Sequence, residues 1–343
     1  MKKYLLFLTS SLLLLLNASA KIWRVNNTGV PADFTSPQTA VNSASVQNGD
    51  TLHIEASGAS YAGLVITKQL VIIGNGYLHG TLGGNANPDL QANPAPSLLG
   101  NVTINTGSSG TVLEGLTLAN GLLITGGVSN IIIRRNRLNS VTFGLCNNVQ
   151  LVQNYLDMST TAQITYDGNP ATNLQIYNNV IAFHVNLGSG VSGDFMNNII
   201  GAVSVGTNAL SNFRVWNNIC RQGNVTLTSC DSRSNIGNST QFGTLNGNQQ
   251  SVNMTTVFED VPNTDPNFSE DSRWQLKAGS PAIGVAWNGT VTSGDCGVYG
   301  SSATGTAYVI SGVPNVPSIY KLSAPAVTTS NTLNITISTR TNN

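Results

Sequence analysis

Residues 130–138 read NIIIRRNRL, and four later stretches align with them without a gap: NVQLVQNYL at 148–156, NLQIYNNVI at 173–181, SGDFMNNII at 192–200 and NFRVWNNIC at 212–220. Each carries an Asn at its seventh position, namely Asn136, Asn154, Asn179, Asn198 and Asn218. The steps between these are 18, 25, 19 and 20 residues. A constant nine-residue cassette joined by connections of varying length marks stacked structural repeats.

Inside the cassette the side chains alternate. Ile131, Val149, Leu174, Gly193 and Phe213 form one column, and Ile133, Leu151, Ile176, Phe195 and Val215 form another two residues on. Between them stand Ile132, Gln150, Gln175, Asp194 and Arg214, which are mostly polar. Period-two alternation describes strands with one face inward and the other outward. Two residues past each Asn the chain is apolar again, at Leu138, Leu156, Ile181, Ile200 and Cys220.

A second, shorter strand is expected in every repeat. The candidates are Val141-Thr142-Phe143, Ile164-Thr165-Tyr166, Val185-Asn186-Leu187, Val203-Ser204-Val205 and Val225-Thr226-Leu227. The spacing predicts an all-β chain folded as a single-stranded, right-handed parallel β-helix of roughly eight to ten coils. TVLEGLTL from Thr111, with Gly115 at its corner, and a degenerate coil over Cys230–Asn235 extend the series.

About one residue in eight is Asn, and the repeat accounts for it. Stacked coils place identical side chains above one another, where an amide both donates to one neighbour and accepts from the other. Asn also tolerates the left-handed backbone of a sharp corner. The repeated Asn residues are therefore read as structural.

The first twenty residues read as a secretory signal peptide. Lys2 and Lys3 are followed by an apolar run over Leu5–Leu16 and the small-residue site Ala18-Ser19-Ala20. The expected localisation is secreted, periplasmic or cell surface, with no membrane span. Removing Lys2 and Lys3 leaves 13 basic and 15 acidic residues, a formal charge of −2. With no basic stripe, nucleic acid is not an expected partner. Cys146, Cys220, Cys230 and Cys296 include no CxxC pair, so no metal site is expected from them. Cys220 and Cys230 fall on different faces of a coil, and no disulfide is expected between them.

The ends carry their own signals. Ser36-Pro37 followed by Ala40, Val41 and Ala44 predicts a short N-terminal capping helix, with Ser as N-cap and Pro at the first helical position. Two long insertions, TLGGNANPDLQANPAPS from Thr81 and residues 237–271, read as loops. QTAVNSASVQNGDTLHIEASGASYAGLVITKQLVIIGNG resembles the beginning of bacterial pectin-lyase-like β-helix proteins. DPNFSEDSRWQLKAGSPAIGVAW…GDCGVYG resembles their C-terminal segment, with Gly284 where that pattern often has Asp. The resemblance spans residues 21–300 and implies the fold, while the fold itself hosts many functions. Residues 301–343, rich in Ser, Thr, Asn and Pro, read as an appendage or tail.

Chemistry is expected on the outward columns. Just before the corner the series reads Arg134, Val152, Tyr177, Met196, Trp216, Arg233. Tyr177 and Trp216 offer flat apolar faces, and Arg134, Gln175, Asp194 and Arg214 can bond hydroxyls, which together make a saccharide platform. The leading expectation is association with polysaccharide or a cell-surface glycan without catalysis and without a cofactor. The alternatives are a polysaccharide lyase, for which the resemblance implies a base and a carboxylate-neutralising Arg or calcium, and a purely structural surface protein. Residues weighed for catalysis are His184, expected beside Gln163 and Asn224, together with Arg214 and Asp194. Arg134, Arg135 and Arg137 form the one compact basic group.

Overall fold

The architecture is taken from a computed structural model that describes residues 20–79, 93–159, 161–203, 206–324 and 333–341. The expected signal peptide, apart from Ala20, and residues 81–92 of the first insertion lie outside that set. The chain is a parallel β-solenoid of about eight turns. A ten-stranded parallel sheet, the first sheet, runs from Ile22–Val25 through Val128–Arg134, Cys146–Val152, Ala171–Tyr177, Val191–Met196 and Phe213–Trp216 to Asp231–Arg233. The second sheet gathers the shorter strands that follow each corner, such as Tyr155–Leu156, Ala162–Tyr166 and His184–Leu187.

The two inward columns read from the cassettes are the core. Ile131, Val149, Leu174, Gly193 and Phe213 pair in register, as do Ile133, Leu151, Ile176, Phe195 and Val215. The second column is wholly buried. Gly193 interrupts the first because its coil approaches too closely for any side chain: a Cβ there would stand 2.0 Å from the Leu174 carbonyl oxygen.

Each turn is held to the next at one corner by a buried amide. Asn136, Asn154, Asn179, Asn198, Asn218 and Asn235 are all 0% exposed. The Asn179 Nδ2 donates to Asn198 Oδ1 at 3.0 Å and to the Leu151 carbonyl at 2.7 Å. The Asn179 Oδ1 in turn accepts from both the backbone N–H and the side-chain amide of Asn154, each at 3.0 Å. The same arrangement repeats from Asn136 to Asn248, which extends the ladder into the second insertion.

Two expectations need correcting. The ladder asparagines do not supply the left-handed backbone of the bend. That conformation belongs to the residue just before each of them, at Arg135, Gln153, Asn178, Asn197 and Asn217, with φ between 54° and 58°. A second left-handed corner opens the cassette at Asn130, Asn148, Asn173 and Asn212. Hydrogen bonding and backbone bending are thus divided between adjacent residues, because a side chain turned inward to the ladder needs the chain to have bent already. The second correction concerns the strand expected at Val203-Ser204-Val205, of which Ser204 and Val205 lie outside the described residues. The strand of that turn is Thr207–Ser211, pairing Leu210 with Leu187 and Leu227, and Val203 lies exposed outside it. The connection is longer there, so the inward positions pass to Asn208 and Leu210.

At the N-terminal end the helix Pro37–Asn42 buries Pro37, Ala40 and Val41, and the Ser36 hydroxyl accepts from the Thr39 N–H. At the other end the chain does not stop at a cap. Residues 286–316 turn back as a strap and run down the corner column toward the first turns. Asn217 exchanges two bonds with the Trp287 backbone, Asn197 donates to the Asp295 and Gly297 carbonyls, and Asn178 donates to those of Val298 and Gly300. Lower down, Gln153 reaches Thr306 and Ala307, Arg135 reaches the Val313 carbonyl, and the Asn315 N–H donates to Glu114. The strap therefore continues through residue 301, where the sequence changes character. The antiparallel hairpin of Ser318–Ser323 and Thr336–Arg340 follows it.

A buried knot fastens the strap. The Ser311 N–H, the Tyr308 hydroxyl and the Ser269 hydroxyl all donate to the Asp271 carboxyl. Tyr77, from an early turn, bonds Tyr308 at 2.7 Å. Burial raises the Asp271 carboxyl above the usual range despite these donors.

The four cysteines are free thiols. Burial pushes Cys146 and Cys220 up to about 12 and raises Cys296 as well. The native protein should therefore show one thiol, Cys230, reactive toward a chromogenic disulfide near neutral pH, and four after denaturation. Cys230→Ser should abolish the native reaction. For the ladder, Asn179→Ala strands the Leu151 carbonyl and the Asn154 N–H away from water and should cost about 3 kcal/mol or more. Asn173→Gly, at an exposed left-handed corner, should stay within about 0.5 kcal/mol. Urea midpoints at unchanged slope measure both.

Candidate functional site

The first sheet turns outward a row whose polar tips are engaged within their own turn or by an adjacent one. The Tyr177 hydroxyl donates to Asp194 Oδ2 at 2.9 Å. Arg214 grips the same carboxylate with Nε and Nη2, both at 2.5 Å. The Arg214 guanidinium also lies over the Trp216 ring, 5.1 Å from its centroid. Trp216 Nε1 donates to Asp231 at 3.1 Å, Asp231 pairs with Arg233, and Arg233 lies over Trp287 at 5.6 Å. Strand stacking makes this interlocking possible, because the register sets Tyr177, Met196, Trp216 and Gln175, Asp194, Arg214 in adjacent columns.

The site residues named from the sequence are therefore only partly assembled as expected. Tyr177, Asp194, Arg214 and Trp216 form one unit, and Gln175 flanks it with its amide directed to Asn148. Arg134 stands two turns away and is tied to Glu114 at 2.7 Å. Val152 and Met196, read as outward, are buried. Met196 lies in register between the larger Tyr177 and Trp216. The basic group is not a free cluster. Arg135 is buried near Glu114, and Arg137 makes a two-pronged pair with Asp157.

Trp287 was not foreseen. It reaches the row through the strap, held by the two backbone bonds to Asn217, and no local sequence pattern announces a contact between residues 70 apart. His184 lies elsewhere, on the second sheet, so it does not meet Arg214 or Asp194. Its ring lies against Gly206, where a Cβ would come within 2.4 Å of Nδ1. Gln163, expected beside it on the outside, is instead fully buried and accepts from the Phe183 N–H.

Electrostatically the row is self-compensating. The Asp194 hydrogen bond, ahead of its charge, raises Arg214 above its ordinary value. Burial, followed by the Asp194 charge, raises the Tyr177 phenol. Among the described residues no three His, Cys, Asp or Glu side chains gather as a metal-binding group, and no helix is long and apolar enough to cross a membrane. No protein-family model matches this sequence, and no curated protein or solved structure is significantly similar to it.

Asp194→Asn tests the electrostatics of the row. It removes the carboxylate but not the burial, so the Tyr177 phenol should titrate at lower pH than in the parent, read from its ring-carbon NMR shift. Stability should fall by less than about 1 kcal/mol, as for other exposed pairs.

Proposed function

We propose that this is an exported β-solenoid protein that associates with polysaccharide or a cell-surface glycan along the first sheet, without cleaving it. The observation that carries the reading is the row itself. Tyr177 and Trp216 are held in line by Asp194, Arg214 and Asp231 before any ligand arrives. Two strand spacings separate their turns, about 10 Å, comparable to the length of a disaccharide. Rings fixed in place bind with little loss of side-chain freedom. The likeness of both chain ends to pectin-lyase-like proteins, together with the signal-peptide pattern, supports an extracellular or periplasmic setting.

For the lyase alternative, a base and a carboxylate-neutralising group must reach one sugar ring. Arg214 already faces Asp194, and His184 stands on the other sheet. Those positions favour binding over bond cleavage.

A glycan array on the mature protein, followed by affinity electrophoresis in the retained polymer, tests the proposal. Tyr177→Ala and Trp216→Ala should each weaken binding up to about tenfold while leaving the thermal midpoint nearly unchanged. Retention unaffected by both substitutions would remove the row from the binding surface. Release of unsaturated uronate products from pectate, alginate or glycosaminoglycan, with or without calcium, would promote the lyase reading.

A further inference from the structure

Two adjoining clefts open beside the second sheet near the last turns, of about 550 and 400 Å³, sharing Gln222 and Asn238 as a common wall. The larger is lined by Thr207, Asn224 and Ser239 in addition. The side chains of Thr207, Gln222, Asn224 and Ser239 make no hydrogen bond within the described residues, so donors and acceptors both face the cleft. Among the described residues no carboxylate lines either cleft.

The smaller cleft adds a cation. Arg221 has no carboxylate within 4 Å among the described residues, whereas Arg134, Arg137, Arg214 and Arg233 each have one. One prong, Nη1, donates to the Ala202 carbonyl at 2.8 Å, which fixes the guanidinium and leaves its other donors available. Burial, and next the neighbouring Arg273, both act against its charge, a cost that a bound anion would offset. Val252, Val261 and Pro262 give the same cleft an apolar wall.

We propose that the joined clefts bind an anionic saccharide, with its acidic group on Arg221 and the hydroxyls of the adjoining sugar on Gln222, Asn224, Thr207 and Ser239. Amides and hydroxyls donate and accept together, which matches vicinal sugar hydroxyls. A planar guanidinium matches a carboxylate or a sulfate ester with two parallel bonds. The site is separate from the Tyr177–Trp216 row and does not depend on it.

Isothermal titration of the mature protein with three probes tests this: a uronate-containing disaccharide, its carboxyl-reduced neutral analogue, and a sulfated disaccharide. The acidic probes should bind about tenfold or more tightly than the neutral one, as charge-assisted bonds are stronger, and the difference should shrink with added salt. Arg221→Gln should erase the preference, and the Gln222→Ala/Asn224→Ala pair should weaken all three probes. If Arg221→Gln does not fold, Arg221→Lys, keeping the charge without the fork, should retain only part of the preference. Equal affinity for acidic and neutral probes would overturn the proposal. So would a preference that survives Arg221→Gln, or inorganic sulfate binding as tightly as the sulfated disaccharide. Between the two acidic probes, the tighter one identifies the anion.

Discussion

A parallel solenoid must turn its chain back at every corner, and each corner removes a backbone donor and acceptor from the strand ladder. Left buried and unpaired, these groups would destabilise every turn. The Asn column meets this constraint with one side chain per turn. Its carbonyl accepts from the Asn of the preceding turn, and its amide reaches both the next Asn and a strand carbonyl. Because each amide completes the bonding of its neighbours, the repeat spacing, the inward columns and the outward row all inherit their register from this line.

That constraint also explains what was legible. A side chain needed identically in every turn leaves a periodic mark, so the five cassettes, the core columns and the Tyr177–Trp216 alignment follow from the sequence. Positions defined by backbone shape leave a weaker mark. The left-handed corner is filled by Arg135, Gln153, Asn178, Asn197 and Asn217, and only their conformation unites them. The start of that turn's strand at Thr207 was hidden for a related reason. An apolar-polar-apolar triplet is common, and local pattern does not reveal how many residues a connection consumes before pairing resumes.

What was hidden depends on contacts distant in sequence. The burial of Arg135, the placement of Trp287 and the engagement of Asn178, Asn197 and Asn217 all require the strap. These corner residues carry an amide or guanidinium whose partner lies 70 to 178 residues away. The outward row nevertheless depends on them, since Trp287 completes its last member. The candidate surfaces on the two sheets thus differ in origin: one arises from register alone, and the other from loops that gather beside the final turns.

The strap has a consequence for how the molecule comes together and apart. A bare solenoid behaves nearly as a one-dimensional array in which each repeat knows only its neighbours and ends can fray singly. Here Tyr77 meets Tyr308 across 231 residues, and Glu114 meets Asn315 across 201. Such closures raise the contact order and slow the search for the final state. They also couple distant turns, so that loosening the late segment exposes early ones and the array melts more nearly as a unit. In vectorial synthesis the first turns are complete long before the segment that fastens them has been made, and their corner groups meet water until it arrives.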